Sequence, residues 1–237
     1  MENLNKSILE PINYEVRLVC FFDILGWKSH IDKAGTDPTQ LTRLAFLPRI
    51  LSSGFVKSLS TGSNNKVTSF SDCAVLSIPY DENEVAKFVQ GLCSIFVGGA
   101  INGFFVRAGV TVGNLYHDDQ LVFGPALNKA YFLESTGKYP RIILDRDIEE
   151  FQHLSGVNVR DEEGTLFIDP FSISTFRKSC ENTVYPLPEK MDGMALYVAT
   201  EELVRREMEG ASSEHVKNKF EWLYKRMRHE LKHNLFK

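Results

Sequence analysis

The stretch Leu18-Val19-Cys20-Phe21-Phe22-Asp23-Ile24-Leu25-Gly26-Trp27 constrains this chain more than any other. Five apolar residues run straight into one carboxylate. A short apolar run of this kind reads as a buried strand. An ionised Asp at its end is costly unless something pairs with it. Gly26 follows at once, where the backbone can turn tightly and approach a ligand. Two readings stand: Asp23 caps the next helix, or it holds a metal ion.

Composition narrows the function classes. At 237 residues the chain is long enough for a full core. The net charge is -4, so the general nucleic-acid binder, with its basic stripe, is not expected. Cys20, Cys73, Cys93 and Cys180 form no CxxC pair, and three of them sit in apolar surroundings. They read as core thiols of a reducing compartment. The six histidines have no zinc spacing. The polar N-terminus lacks the apolar centre of a signal peptide, and no apolar run reads as a membrane span. A cytoplasmic protein without stable membrane association is expected.

In chain order, residues 14–25 form the first strand. Asp37 and Pro38 then start a helix with an apolar face at Leu41, Leu44, Ala45, Leu47 and Leu51, kinked at Pro48. After a loop at 61–65, residues 66–71 and 73–80 form a hairpin with Asp72 at its tip or just before it. Asp81 caps a helix over 81–101, with Glu84 placed for a capping box. Residues 104–115 alternate as a strand. His117, Asp118, Asp119 and Gln120 read as a solvated turn. A helix over 126–135, a strand over 141–144 and a short helix over 147–154 follow. Leu166 to Ile168 and Ala195 to Val198 read as peripheral strands. Residues 201–235 read as a helical tail, broken at 210–213, with one apolar stripe at Phe220, Leu223, Met227 and Leu231. The order is β-α-β-β-α-β, the split βαβ or ferredoxin-like pattern of an α+β fold. The expected division is a catalytic domain over 12–200 and a C-terminal helical extension over 201–237.

That pattern puts Asp23 and Asp72 on neighbouring strands. Two carboxylates there can chelate divalent ions of the kind that activate an attacking oxygen and neutralise a leaving phosphate. Hard oxygen ligands favour Mg²⁺ or Mn²⁺. The turn at Leu25-Gly26-Trp27 can offer backbone N–H groups to a phosphate.

Four segments resemble, in order, the motifs of class III nucleotidyl cyclases. Phe22-Asp23-Ile24-Leu25-Gly26-Trp27 is similar to their F-x-D-I-x-G-F motif. Ser69-Phe70-Ser71-Asp72-Cys73 is similar to their second metal-acid motif, usually written with Gly before Asp. Arg107-Ala108-Gly109-Val110-Thr111-Val112-Gly113 is similar to their R-x-G-[IV]-x-x-G strand. Phe123-Gly124-Pro125-Ala126-Leu127-Asn128-Lys129-Ala130 is similar to their W-G-x-x-V-N-x-A helix start. The resemblance implies a palm-like fold in which Asp23, the Ile24 carbonyl and Asp72 hold two Mn²⁺ or Mg²⁺ ions. It gives Asn128 the role of orienting the ribose and supporting the transition state. It places Ile24, Gly26 and Trp27 beside the nucleotide. It implies a homodimer whose active sites lie at the subunit interface, with a nucleoside triphosphate as substrate and a 3′,5′-cyclic nucleotide as product.

Departures from the pattern shape the substrate reading. Four positions after Asn128, where the family has arginine, stands Phe132. Lys129, Lys138 and Arg141 are nearby candidates for the missing anion contact. The family's purine-reading acid falls on Leu121, while its purine-reading lysine is matched by Lys66. With Tyr139-Pro140-Arg141 after the helix, these traits resemble the bacterial pyrimidine cyclases of Pycsar anti-phage systems. That implies UTP or CTP as substrate, with uridine preferred, and a separate cyclic-nucleotide-sensing effector downstream.

Plainer readings stand beside these. Lys66 can be an exposed strand-end lysine, Arg107 a structural partner of a carboxylate, Asn128 a helix N-cap, and Trp27 core or dimer surface. A catalytically silent cyclase-like domain is the alternative that Phe132 favours and the two acids oppose. A ferredoxin-like RNA binder lacks its aromatic strand pattern here. The Gly-Gly-acid-acid-Phe signature of diguanylate cyclases is absent.

Overall fold

A computed structural model describes residues 11–46, 49, 64–154, 158–161, 163–181 and 191–235. The expected helical positions Leu47, Pro48 and Leu51 and the loop at 61–63 lie outside the described residues.

Strand β1 (Glu15–Ile24) contains the apolar run that leads into Asp23. Helices α1 (Trp27–Ala34) and α2 (Pro38–Leu44) follow. Asp37 caps α2 by accepting from the N–H groups of Thr39 and Gln40, with Pro38 at the first helical position. Strands β2 (Lys66–Phe70) and β3 (Cys73–Pro79) form the hairpin. Helix α3 (Glu82–Ile101) is capped by Asp81. Next come β4 (Val106–His117), β5 (Val122–Phe123), α4 (Pro125–Thr136) and β6 (Ile142–Leu144). A short α5 (Glu149–Gln152) leads to β7 (Asn158–Arg160) and β8 (Leu166–Ile168). Helices α6 (Ile173–Glu181), α7 (Gly193–Glu209) and α8 (Glu214–Leu235) follow.

The sheet order is β2-β3-β1-β4-β6-β8-β7, with β5 paired to β4. The first four strands pair antiparallel, with β1 between β3 and β4. That is the ferredoxin-like arrangement expected of βαββαβ order, extended at the β4 edge by β6, β8 and β7. The fold is therefore α+β with a helical C-terminal region.

Period-two alternation gives the sheet two unlike faces. Leu18, Cys20, Phe22 and Ile24 join Phe88, Leu92 and Phe96 of α3 in one apolar core. Val19 packs on the other face with Ala126 and Ala130 of α4. That second face also buries Arg17, Ser77 and Thr111. Helix α3 has the length and composition of a membrane span, but most of it is buried in the fold. Its outer side meets α6 to α8, where Leu223, Met227 and Leu231 are buried together with Val97 and Ala100. The apolar stripe of the tail thus covers the protein's own core. Truncating a buried leucine there to alanine would cost roughly 2–5 kcal/mol.

Two expectations are corrected. Ala195 to Val198 is helix, not strand, because Asp192 caps α7 through the N–H groups of Met194 and Ala195. Leu196, Tyr197, Thr200 and Val204 then fall on one buried helical face. That helix runs unbroken through residue 200. His117 is not a solvated turn residue: it is 7% exposed, at the buried end of β4.

Candidate active site

Asp23, the penultimate residue of β1, lies on the α4 face, directly opposite Arg107 on β4 and Cys73 on β3. Arg107 Nη2 donates to Asp23 Oδ2 at 2.8 Å. The same nitrogen lies 2.8 Å from Glu134 Oε1, an ion pair whose geometry makes no hydrogen bond. Arg107 Nε is likewise buried without a partner, while Nη1 donates to the Gly137 carbonyl at 3.1 Å. Burial pushes the carboxyls of Asp23 and Glu134 up, and Arg107 opposes that rise. Asp72 adds to the rise at Asp23, which marks the two acids as neighbours. Lys219 of α8 also feels the cluster: burial and the Arg107 charge push its ammonium down. Asp23, Cys73, Arg107, Tyr131 and Glu134 line a cleft of about 310 Å³.

Asp72 sits in the turn between β2 and β3. The Ile24 N–H donates to its carbonyl at 2.9 Å, so both acids are held at the same end of adjacent strands. Ser71, just before it, has φ +55°. That is the left-handed region glycine adopts without strain, which gives a physical reason for a glycine at this position of the motif. Among the described residues, no three His, Cys, Asp or Glu side chains are grouped to hold a metal alone. Two carboxylates and the Ile24 backbone oxygen are nevertheless hard donors of the type Mg²⁺ or Mn²⁺ takes. A cation there would also relieve the repulsion that Asp72 exerts on Asp23.

Helix α4 is positioned by the glycines of β4. A Cβ at Gly109 would collide with the Ala130 carbonyl and come within 2.7 Å of Leu133 Cβ and 2.8 Å of the Glu134 nitrogen. A Cβ at Gly113 would touch Ala126. Gly124, at φ +146°, is the N-cap of α4 and Pro125 its first residue. Asn128 is therefore not the cap. It is exposed on the first turn and does not line the Asp23 cleft within one chain. Tyr131 and Phe132 are 56% and 64% exposed farther along the same helix.

The remaining sequence-selected residues are spread out. Gly26 caps α1 in the left-handed region at φ +72°. Trp27 packs on the core, 6.4 Å from the Phe104 ring. Lys66 pairs with Asp119 at 2.6 Å, and Leu121 is 53% exposed two residues beyond that acid. Lys129 is held by Asp145 at 2.7 Å and Asp147 at 3.2 Å. The Asp145 bond raises its ammonium, so this cation is already committed. Arg141 is buried and paired with Asp161 at 2.9 Å. It lines a separate cavity that shares no lining residue with the Asp23 cleft. Glu134 and Lys219 were not visible as site residues in sequence. The register of Arg107 against Asp23 was the available signal for a charge cluster.

No protein-family model matches the chain, and no curated protein matches it. Solved structures do. The monomeric guanylyl cyclase domain of the RhoGC fusion protein from the aquatic fungus Blastocladiella emersonii superposes with a TM-score of 0.51. It is 17% identical, and the match covers 66% of this chain and 96% of that one. A class III adenylyl cyclase-like ATP-binding protein from Pseudomonas aeruginosa matches with a TM-score of 0.46 at 12% identity. That match covers 93% of this chain and 44% of the other. The first likeness shows the fold: the chain shares the architecture of that guanylyl cyclase domain.

Proposed function

We propose that this chain is a nucleotide cyclase that converts UTP to 3′,5′-cyclic UMP and pyrophosphate. The observation that carries the proposal is the Asp23–Asp72 pair, pinned at one end of adjacent strands by the Ile24–Asp72 backbone bond within a cyclase fold. The ribose 3′-oxygen attacks the α-phosphorus, the bond to the β-phosphate oxygen breaks, and the 3′-hydroxyl proton leaves to solvent. Asp23, Asp72 and the Ile24 carbonyl would hold two Mg²⁺ or Mn²⁺ ions, which supply charge neutralisation and activation of the attacking oxygen when bound. Arg107 opposes the burial that favours the neutral acid at Asp23 and orients its carboxyl. The N–H groups that open α1 after Gly26 face the phosphate chain.

Asn128 lies outside the Asp23 cleft of its own chain, which supports a homodimer in which it serves the partner's acids. With Lys129 tied to Asp145 and Asp147, and Phe132 where the arginine belongs, the transition-state anion contact comes from elsewhere. Leu121 in place of a purine-reading acid favours a pyrimidine, with CTP as the nearest alternative. The anti-phage signalling role, with a separate cyclic-nucleotide-sensing effector downstream, rests on the motif resemblance alone.

One observation favours a purine substrate instead. Asp119 stands beside Lys66 and supplies an acid two residues before Leu121. Incubating the chain with ATP, GTP, CTP and UTP separately, with Mn²⁺ or Mg²⁺, and weighing the products decides. Cyclic UMP is expected. Cyclic AMP or GMP would give the Lys66–Asp119 pair the base-reading role. No product from any of the four would favour the silent domain.

A further inference from the structure

A second cavity, of about 600 Å³, opens between the segment after α4, strands β6 to β8 and helix α8. Its size is that of an ordinary small-molecule site. Its wall is built around Arg141, whose side chain is 7% exposed. The guanidinium carbon lies 4.6 Å from the Phe167 ring centre, 5.6 Å from that of Tyr139 and 5.9 Å from that of Trp222. Nη1 donates to Asp161 at 2.9 Å, but Nε is buried with no hydrogen-bond partner. A buried donor left unpaired is costly, so the wall holds one unsatisfied N–H on a cation that is otherwise paired. Tyr139 and Trp222 stack face to face, 4.8 Å apart and 8° from parallel.

The charges around this wall are unequal. Lys138, Arg141, Arg160 and Arg226 line the cavity against Asp161 and Glu163. Arg141 and Arg226 have carboxylate partners, Asp161 and Asp169. Lys138 is exposed, and among the described residues Arg160 makes long contacts only, 3.4 Å to the Gly164 carbonyl and 3.5 Å to Gln152. A chain of net charge -4 has thus gathered spare cations around a flat aromatic surface. Aromatic faces bind planar rings, and unpaired guanidinium and ammonium groups bind phosphate.

We propose that this cavity is a binding site for a nucleoside phosphate, distinct from the Asp23 cleft. The base stacks on the Tyr139–Trp222 pair, and the phosphate meets Arg160 and Lys138, with Arg141 fixing the floor between them. A ligand there bridges β6–β8 to α8, the helix that carries Lys219 beside the acid cluster. The inference does not rest on the cyclase reading.

The test is calorimetric titration of the full chain with UMP and AMP, separately, in EDTA. Chelation removes the divalent ions that a site at Asp23 and Asp72 would need. One saturable site per chain is expected, with inorganic phosphate binding more weakly than either nucleotide. The double variant Lys138→Ala/Arg160→Ala, altered only at exposed positions, should weaken binding at least tenfold, and Asp23→Ala should leave it unchanged. Quenching of Trp222 fluorescence by the nucleotide, lost in Trp222→Phe, would place the base on the wall. Absence of saturable binding by both nucleotides, or binding unaffected by the double variant, would overturn the proposal.

Discussion

Arg107 and Asp23 face each other across the β1–β4 ladder, Nη2 to Oδ2 at 2.8 Å, and the same guanidinium also neutralises Glu134. One cation therefore serves two carboxyls that burial pushes up. An acid raised in the folded state contributes stability at low pH and loses it as pH climbs through the folded value. Arg107→Met removes the shared counter-charge and raises both carboxyls further. The variant should be near wild type in stability around pH 4 and destabilised by roughly 3 kcal/mol near pH 8. Chemical denaturation at the two pH values measures the difference.

Ser71 holds φ +55° beside Asp72 and is exposed. A non-glycine residue there bears strain of about 1 kcal/mol. Ser71→Gly should relieve it, and the melting temperature should rise or stay level despite the added freedom of the unfolded chain. Ser71→Val should lower it, since a β-branched residue fits that region poorly.

Gly109 lets α4 rest directly on β4. Gly109→Ala would force the helix away from the sheet at the Ala130 carbonyl. Overpacking of this kind costs about 1–3 kcal/mol. The displaced helix carries Asn128 and Glu134, so turnover should fall even in the fraction that remains folded. Thermal melts and assays of the folded fraction separate the two effects.

His117 is buried between Ser77, 2.8 Å from Nδ1, and Thr68, 3.0 Å from Nε2. Burial, with Arg17 and Lys66 nearby, pushes its imidazolium down to about 4. The unfolded chain takes up that proton near pH 6.5. The neutral ring therefore contributes stability above that pH and loses it as pH falls toward 4. This one group would remove on the order of 3 kcal/mol over that interval. His117→Gln should flatten the acid limb of a stability–pH curve.

Much of the fold was legible because its signals are local. The apolar run into Asp23, the caps at Asp37 and Asp81, the Leu166 to Ile168 strand and the stripe through Leu223 and Met227 each follow from neighbours in sequence. Ala195 to Val198 misled because four apolar residues fit strand and helix alike. The Asp192 cap and the continuing periodicity to Val204 decide it. His117 misled because its acidic neighbours look solvated while its ring turns inward to Ser77. Glu134 and Lys219 reach the candidate site only through tertiary packing, the first by the close approach at Gly109 and the second from a helix nearly two hundred residues after Asp23. No local pattern marks either one.

Asp23 and Asp72 together are proposed to carry nucleotide cyclisation. The most direct test compares pyrophosphate and cyclic-nucleotide release from UTP and Mn²⁺ by the wild-type chain, Asp23→Ala and Asp72→Ala, with the fold of each variant checked by circular dichroism. Matched release of both products by the wild type, and none by either folded variant, is expected. Turnover retained in a folded Asp72→Ala or Asp23→Ala chain would contradict it.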